Sequence, residues 1–469
     1  MHIAKFFAAC SLLASAVASG APQLSVTVEN ALQSAAIPAA GVGIYVQEVS
    51  AGAALLEFNA ATAFNPASVM KLVTTDAALE LLGPTYSWKT RAYAAGGQQG
   101  DVLQGDLIIQ GGGDPKLVLE NFWLFLRRIR AQGIREISGN LVLDRSAFAP
   151  VLHDAATFDG EPGKPYNVGP DALLLNYKTL GMRFLPDAAG TAVRVSMDVP
   201  FAGFNVVAPA LSAGDCGNWQ EKLGAEFSAD GVVFAGEFPA ACGDKTWYFN
   251  PYRISQPAFF GNVFRQLWRE LGGTFSGEVI DGRVPDNASL IAEWSSPALP
   301  EIVRDINKYS NNVMARQVLL SLSPELPALP ASTARGADAV KAWLAGKGID
   351  APELVIENGS GLSRSERISA RTLGRMLVAA FHAPTMPEFI GSLPLVGLDG
   401  TMRKRLQAES IAGHAHIKTG SLEQVRSIAG YVLAASGRRY VVVCLINDRN
   451  AARGRAVQDA LLQWVYQNG

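Results

Sequence analysis

Asn65-Pro66-Ala67-Ser68-Val69-Met70-Lys71-Leu72 joins a polar turn to a helix. Val69, Leu72, Ala78, Leu79 and Leu82 recur at helical spacing after it, and Gly83-Pro84 stops the run. Within this stretch Ser68 and Lys71 form Ser-x-x-Lys. Residues i and i+3 share a helical face, so the amine can lie beside the hydroxyl. A serine hydroxyl is a weak nucleophile until a base takes its proton. A lysine can be that base when burial or a second cation depresses its pKa. The helix N-terminus adds outward N–H groups suited to a developing oxyanion. Alone the pattern says little, because Ser-x-x-Lys arises about once by chance in a chain of this size.

Two further short patterns change its weight. Ser310-Asn311-Asn312 is Ser-x-Asn, inside an apolar helical segment at 299–320 that Tyr309-Ser310-Asn311-Asn312 interrupts awkwardly. Lys418-Thr419-Gly420 lies in a strand-like run at 416–422, where Gly420 would let another backbone come close. By composition roughly 0.1 copies of Lys-Thr-Gly are expected in such a chain. Read singly, each pattern is also compatible with a solvated pair, a polar turn or an edge-strand lysine. Together, in the order Ser-x-x-Lys, Ser-x-Asn, Lys-Thr-Gly, each in its expected setting, they make a specific signal.

The rest of the chain bounds the possibilities. It has 469 residues, 49% hydrophobic and 17% charged, which excludes disorder and favours a sizeable core. Lys plus Arg number 40 and Asp plus Glu 42, with no basic run, so nucleic acid is not an expected partner. Lys5, the apolar run 6–17 and Ala16-Val17-Ala18 read as an export signal over residues 1–21, cleaved after 18 or 21. Cys10 lacks a Leu three residues before it, against a lipoprotein anchor. Export puts the remaining cysteines in an oxidising place. Cys216 and Cys242 lie in polar, Gly-containing stretches and are expected to pair, leaving Cys444 in the buried-strand run 440–446. Runs at 42–49 and 54–58, and at 428–435 and 440–446, read as hairpins. Residues 85–255 are dominated by short alternating strands around one helix at 117–132, a local βαβ element. The terminal helix carries Val457, Leu461, Trp464 and Val465 on one face but no basic face, so at most peripheral membrane contact is expected.

The three patterns resemble those of the penicillin-binding protein and β-lactamase superfamily. The likeness extends to the D-alanyl-D-alanine carboxypeptidase/endopeptidases, the class C low-molecular-mass penicillin-binding proteins. Residues 65–72 look like their nucleophile segment, and Gly111-Gly112-Gly113-Asp114-Pro115 like their Gly-Gly-Asp-Pro stretch. Asn358-Gly359-Ser360-Gly361-Leu362-Ser363-Arg364 is similar to their Asp-Gly-Ser-Gly-Leu-Ser-Arg, with Asn358 in place of the acid. Leu393-Pro394, Gly397, Asp399-Gly400-Thr401 and Lys418-Thr419-Gly420-Ser421-Leu422 also fit. The likeness is thinnest at 145–255.

This resemblance implies a mixed α/β (α+β) fold: a transpeptidase-like domain, an antiparallel sheet flanked by helices, split by a strand-rich insert. The expected domain spans are 22–82 plus 257–469, with the insert at 83–256. The 242 positions from Ser68 to Ser310 exceed what an uninterrupted β-lactamase fold needs. It also implies a substrate, the D-alanyl-D-alanine end of a peptidoglycan stem peptide, and acylation by β-lactam antibiotics. Ser68 would be the nucleophile, Lys71 the base and Ser310 the proton relay. Asn312 would hold the acyl-side amide, Lys418, Thr419 and Gly420 the carboxylate end, and the Ser68 and Ser421 N–H groups the oxyanion. No metal or organic cofactor is implied. The expected location is the periplasm.

Other readings fare worse. A β-lactamase would be shorter, and no Glu-x-x-Leu-Asn loop follows Ser-x-Asn. A Ser-His-Asp hydrolase would have to use one of five His, and no Gly-x-Ser-x-Gly is present. His414 and His416, on one side of a strand, could supply only two ligands to a metal. A non-catalytic wall-binding module would be expected to have broken at least one of the three patterns.

Overall fold

The computed structural model describes residues 24–324 and 328–469. The expected export signal lies outside the described residues. Among the described residues, five antiparallel strands form the central sheet, in the order Ala415–Leu422, Val425–Leu433, Arg439–Asn447, Val42–Glu48 and Leu56–Phe58. The middle strand shows why its sequence is apolar throughout. Val441, Val443 and Leu445 face one side, and Val442, Cys444 and Ile446 the other. Helices Val26–Ala35 and Arg455–Asn468 cover the second side with Val28, Leu32, Val457, Leu461 and Val465. Helices Met70–Leu81, Leu299–Tyr309, Asn312–Ser321 and Ala370–Phe381 cover the first. The mixed α/β architecture expected from the sequence is the one observed. The terminal helix packs on the sheet through the apolar face its sequence displays. No helix among the described residues is long and apolar enough to cross a membrane.

The strand-rich unit begins at Lys89–Gln99, the strand that follows helix Met70–Leu81. Its βαβ element is present: Val102–Gly111, helix Leu119–Arg130, then Leu141–Asp144 parallel to the first strand. Cys216 and Cys242 are joined there, and Cys444 is a buried free thiol.

The expected end of this unit at 256 needs correction. Helix Gln256–Glu270 buries Phe259, Phe260, Val263, Phe264 and Trp268 in the insert's own core. Strands Thr274–Phe275 and Val279–Asp281 pair with Glu136–Ile137 and Leu141–Asp144, and Ser289–Ser295 pairs antiparallel with Lys89–Gln99. The unit therefore runs to Ser295. Its helix has a strong apolar stripe, and a stripe says that a face is buried without saying against which sheet. At the junction the Ser296 N–H donates to the Trp88 carbonyl (2.9 Å) and the Trp88 N–H to Ser296 Oγ (3.0 Å).

Candidate active site

Ser68 sits in a short 3-10 turn, Ala67–Val69, that runs into helix Met70–Leu81. The turn is pinned from several sides. Asn65 and Asn447 exchange two hydrogen bonds (2.7 and 3.0 Å), and Asn65 Nδ2 donates to the Ser363 carbonyl. Ser427 Oγ donates to the Pro66 carbonyl at 2.6 Å. Ala67 is held at φ +47°, a conformation that costs a non-glycine residue energy and survives only because its surroundings dictate it. Two glycines press on this turn. A Cβ on Gly361 would lie 1.8 Å from the Ala67 carbonyl oxygen. A Cβ on Gly420 would lie 2.7 Å from that of Pro66 and 3.0 Å from the Ser68 nitrogen. The strand carrying Lys418-Thr419-Gly420 thus passes directly beside the Ser68 amide.

The interrupted helix supplies the next wall. Ser310 takes φ +58°, ending Leu299–Tyr309, and Asn311 Oδ1 accepts the Met314 N–H at 3.1 Å to start Asn312–Ser321. The polar run that looked awkward for one helix is therefore the joint between two. It swings Asn312 inward as the first residue of the second.

Lys71 is fully buried. Its Nζ donates to Ser68 Oγ (2.9 Å), to Asn312 Oδ1 (2.6 Å) and to the Ser360 carbonyl. Burial holds the Lys71 pKa well below the usual lysine range, the Lys418 charge lowers it further, Glu366 opposes and Arg316 adds to the depression. Lys418, also fully buried, donates to Ser310 Oγ and to the Thr419 carbonyl, both at 2.9 Å; burial pulls its pKa down to about 7. Thr419 Oγ1 donates to Thr401 Oγ1 at 2.9 Å, and Ser421 is exposed on the same strand. Lys308 and Asp399 pair at 2.6 Å, anchoring the Leu393–Thr401 segment behind Thr419.

All eight non-cysteine residues singled out in the sequence lie on these converging elements. Direct hydrogen bonds link Ser68, Lys71 and Asn312 in one chain and Lys418 with Ser310 in another. Sequence reasoning missed the Ser360 carbonyl, Glu366, Arg316 and Thr401. The segment holding Ser360 was visible in the sequence, but a backbone carbonyl has no residue-type signature. His414 Nδ1 is 3.0 Å from the Ala412 carbonyl, and His416 is half-buried on the strand that carries Lys418, bridged to Leu395. Among the described residues no cluster of three or more His, Cys, Asp or Glu is placed to hold a metal ion.

Comparisons with known proteins supply the family and the fold. The D-alanyl-D-alanine carboxypeptidase of Actinomadura sp. (strain R39) is 29% identical over 95% of this chain and 85% of that protein. The crystal structure of penicillin binding protein 4 (dacB) from Haemophilus influenzae superposes with a TM-score of 0.79, at 23% identity, over 94% of this chain and 100% of that one. The same protein complexed with a β-lactam gives 0.74 at 24% identity, over 94% and 100%. These two structures establish a shared fold. The family model described as D-Ala-D-Ala carboxypeptidase 3 (S13) matches residues 24–468, and with that match spanning nearly all of it, the chain belongs to this family of serine D-Ala-D-Ala carboxypeptidases.

Proposed function

We propose that this carboxypeptidase works through an acyl-enzyme on Ser68. The observation that carries the reading is the partner set of Lys71 Nζ. Two of its three hydrogen-bond partners, Asn312 Oδ1 and the Ser360 carbonyl, are oxygens that can only accept. They must take two N–H groups. In the neutral amine the remaining lone pair is left for the third partner, the Ser68 hydroxyl, which then donates instead of accepting. A buried, depressed lysine held this way is a base aimed at one proton.

The chemistry follows. Ser68 Oγ forms a bond to the carbonyl carbon of the penultimate D-alanine of a peptidoglycan stem peptide as Lys71 takes the hydroxyl proton. The Ser68 and Ser421 N–H groups receive the oxyanion, a contribution of roughly 3–4 kcal/mol per donor. The peptide C–N bond breaks as Ser310 gives its hydroxyl proton to the leaving amine and is reprotonated by Lys71, which is left neutral again. Asn312 Nδ2 holds the acyl-side amide. Lys418 and Thr419 receive the terminal carboxylate, with Gly420 allowing the close approach. Water then attacks the ester and restores the Ser68 hydroxyl. A cross-bridge is the same bond with a larger leaving group, so endopeptidase action is a second expected activity. β-Lactams present the same electrophile beside a carboxylate and are expected to acylate Ser68. The leader-like start of the sequence and the Cys216–Cys242 bond support export, with the periplasm as the location.

Fluorescent penicillin, a denaturing gel and peptide mapping test this. Label is expected on the peptide containing Ser68 and absent from folded Ser68→Ala. Label retained by the alanine variant would overturn the assignment.

A further inference from the structure

Glu366 is fully buried, and its placement is unusual for an acid in a polar loop. Its Oε1 accepts three consecutive backbone N–H groups, those of Glu357 (3.2 Å), Asn358 (2.9 Å) and Gly359 (2.9 Å). The next residue, Ser360, offers the carbonyl that receives Lys71 Nζ. The other oxygen, Oε2, is buried with no hydrogen-bond partner among the described residues. A glutamine oxygen could accept the same three N–H groups without the desolvation of a charge. The acceptor count therefore does not explain the carboxylate.

The surrounding charges do. Three cations are buried at this site: Lys71 and Lys418 at 0% exposure and Arg316 at 8%. They come from the helix Met70–Leu81, the strand Ala415–Leu422 and the helix Asn312–Ser321. Glu366 is the acid that acts on Lys71, and it shares Arg316 with Glu357. Glu357 spends its Oε2 on the hydroxyls of Ser363 and Ser365. Arg316 donates to the Val168 carbonyl (3.0 Å), and its Nε has no hydrogen-bond partner among the described residues. We propose that Glu366 is a positioning residue for acylation, clamping the turn that presents the Ser360 carbonyl to Lys71 and supplying the buried counter-charge to that lysine. It touches neither substrate nor Ser68.

This inference rests on Lys71 being the base. The two jobs make separable predictions. Glu366→Gln keeps an acceptor for the clamp but removes the charge. Lys71 then protonates less readily, so the acidic limb of the acylation rate should move to lower pH. Glu366→Asp keeps the charge but shortens the reach to the three amides. It should slow acylation at every pH while leaving the limb near its wild-type position. The experiment is the acylation rate by a chromogenic β-lactam across pH for wild type and both variants. The limb is read from each profile scaled to its own plateau, the plateau from the rate constant of the labelled fraction, and an aspartate plateau equal to wild type overturns the clamp. A glutamine limb that stays in place, or an aspartate limb that moves as far as the glutamine limb, overturns the counter-charge. If wild type is acylated and neither variant can be, the carboxylate is a folding element only and the proposal falls. Wild-type protein that is never labelled on Ser68, or that shows no acidic limb, would instead refute the underlying reading of Lys71.

Discussion

In the proposed mechanism Lys418 has two jobs that one substitution disturbs together and pH separates. Its ammonium is buried 2.9 Å from Ser310 Oγ, where the proposed mechanism brings the substrate carboxylate, and its charge depresses Lys71. In Lys418→Ala the carboxylate loses a charged hydrogen bond, about 1.5–3 kcal/mol, or roughly a 10- to 150-fold fall in acylation. Lys71 also loses a like charge in the same low-dielectric cleft. Its pKa should rise, because the Lys418 charge is one of the causes of its depression. Because only the neutral amine accepts the Ser68 proton, the acidic limb should move upward with it. The total defect therefore grows as pH falls: it is smallest on the alkaline side and exceeds the lost hydrogen bond alone below the shifted limb. Acylation by a chromogenic carboxylate-bearing β-lactam, followed by stopped flow across pH, reads both quantities. A defect that is one constant factor at every pH would refute the electrostatic job and leave Lys418 as a carboxylate anchor alone.

Lys418→Arg probes the same group from its other side. Lys418 titrates near 7, so in the wild type its cation is lost, and carboxylate-dependent acylation falls, as pH rises through about 7. A guanidinium stays protonated, so the arginine variant should lose this alkaline fall in its pH profile while reacting more slowly overall. Gly361→Ala would set a methyl 1.8 Å from the Ala67 carbonyl oxygen. It should abolish labelling of Ser68 or lower the melting temperature by several degrees, and a variant unaffected in both would show that the turn beside Ser68 is softer than its contacts imply. Cys216 and Cys242, 26 positions apart, should contribute roughly 3–4 kcal/mol in the chain-entropy account. Thiol titration of denatured, unreduced protein beginning at residue 22 should find one reactive thiol, Cys444; three would exclude the bond.

The chemistry of the site was more legible in the sequence than its scaffold. Ser68 with Lys71, Ser310 with Asn312 and Lys418 with Thr419 are short-range pairs, and their spacing reports which side chains share a face or a strand. The break at Ser310 was readable for the same reason, since four polar residues interrupt an apolar periodicity. Helix Ala370–Phe381 starts where its Ser369 cap says it should, with Ser369 Oγ accepting the Thr372 N–H at 3.0 Å. The end of the insert was not readable. Phe260 and Trp268 announce a buried face, but they pack against Phe122 and Arg130 far earlier in the chain, and long-range packing leaves no local mark. Glu366 escaped notice because an acid between Ser365 and Arg367 looks solvated. Only the fold turns it inward, onto three amides of a segment that was read for its side chains.

The stem at Trp88 and Ser296 has an architectural consequence. Lys89 and Ser295 are 206 positions apart yet sit side by side as paired strand neighbours, so the host domain sees the whole intervening unit as if it were one tight hairpin. A unit with adjacent ends imposes almost no closure entropy on the fold that carries it, whatever its size. That makes it a cassette, exchangeable for another folded module with similarly spaced ends. The exchange has conditions, because host side chains reach into the unit: Arg316 donates to the Val168 carbonyl at 3.0 Å and Asp305 pairs with Lys116 at 2.5 Å. Gln317, on the helix that carries Asn312, spends its side chain on the insert, accepting the Asp171 N–H at 3.0 Å and donating to the Gly113 and Asp171 carbonyls. A replacement module would have to answer that buried amide, or position 317 would have to become apolar with it.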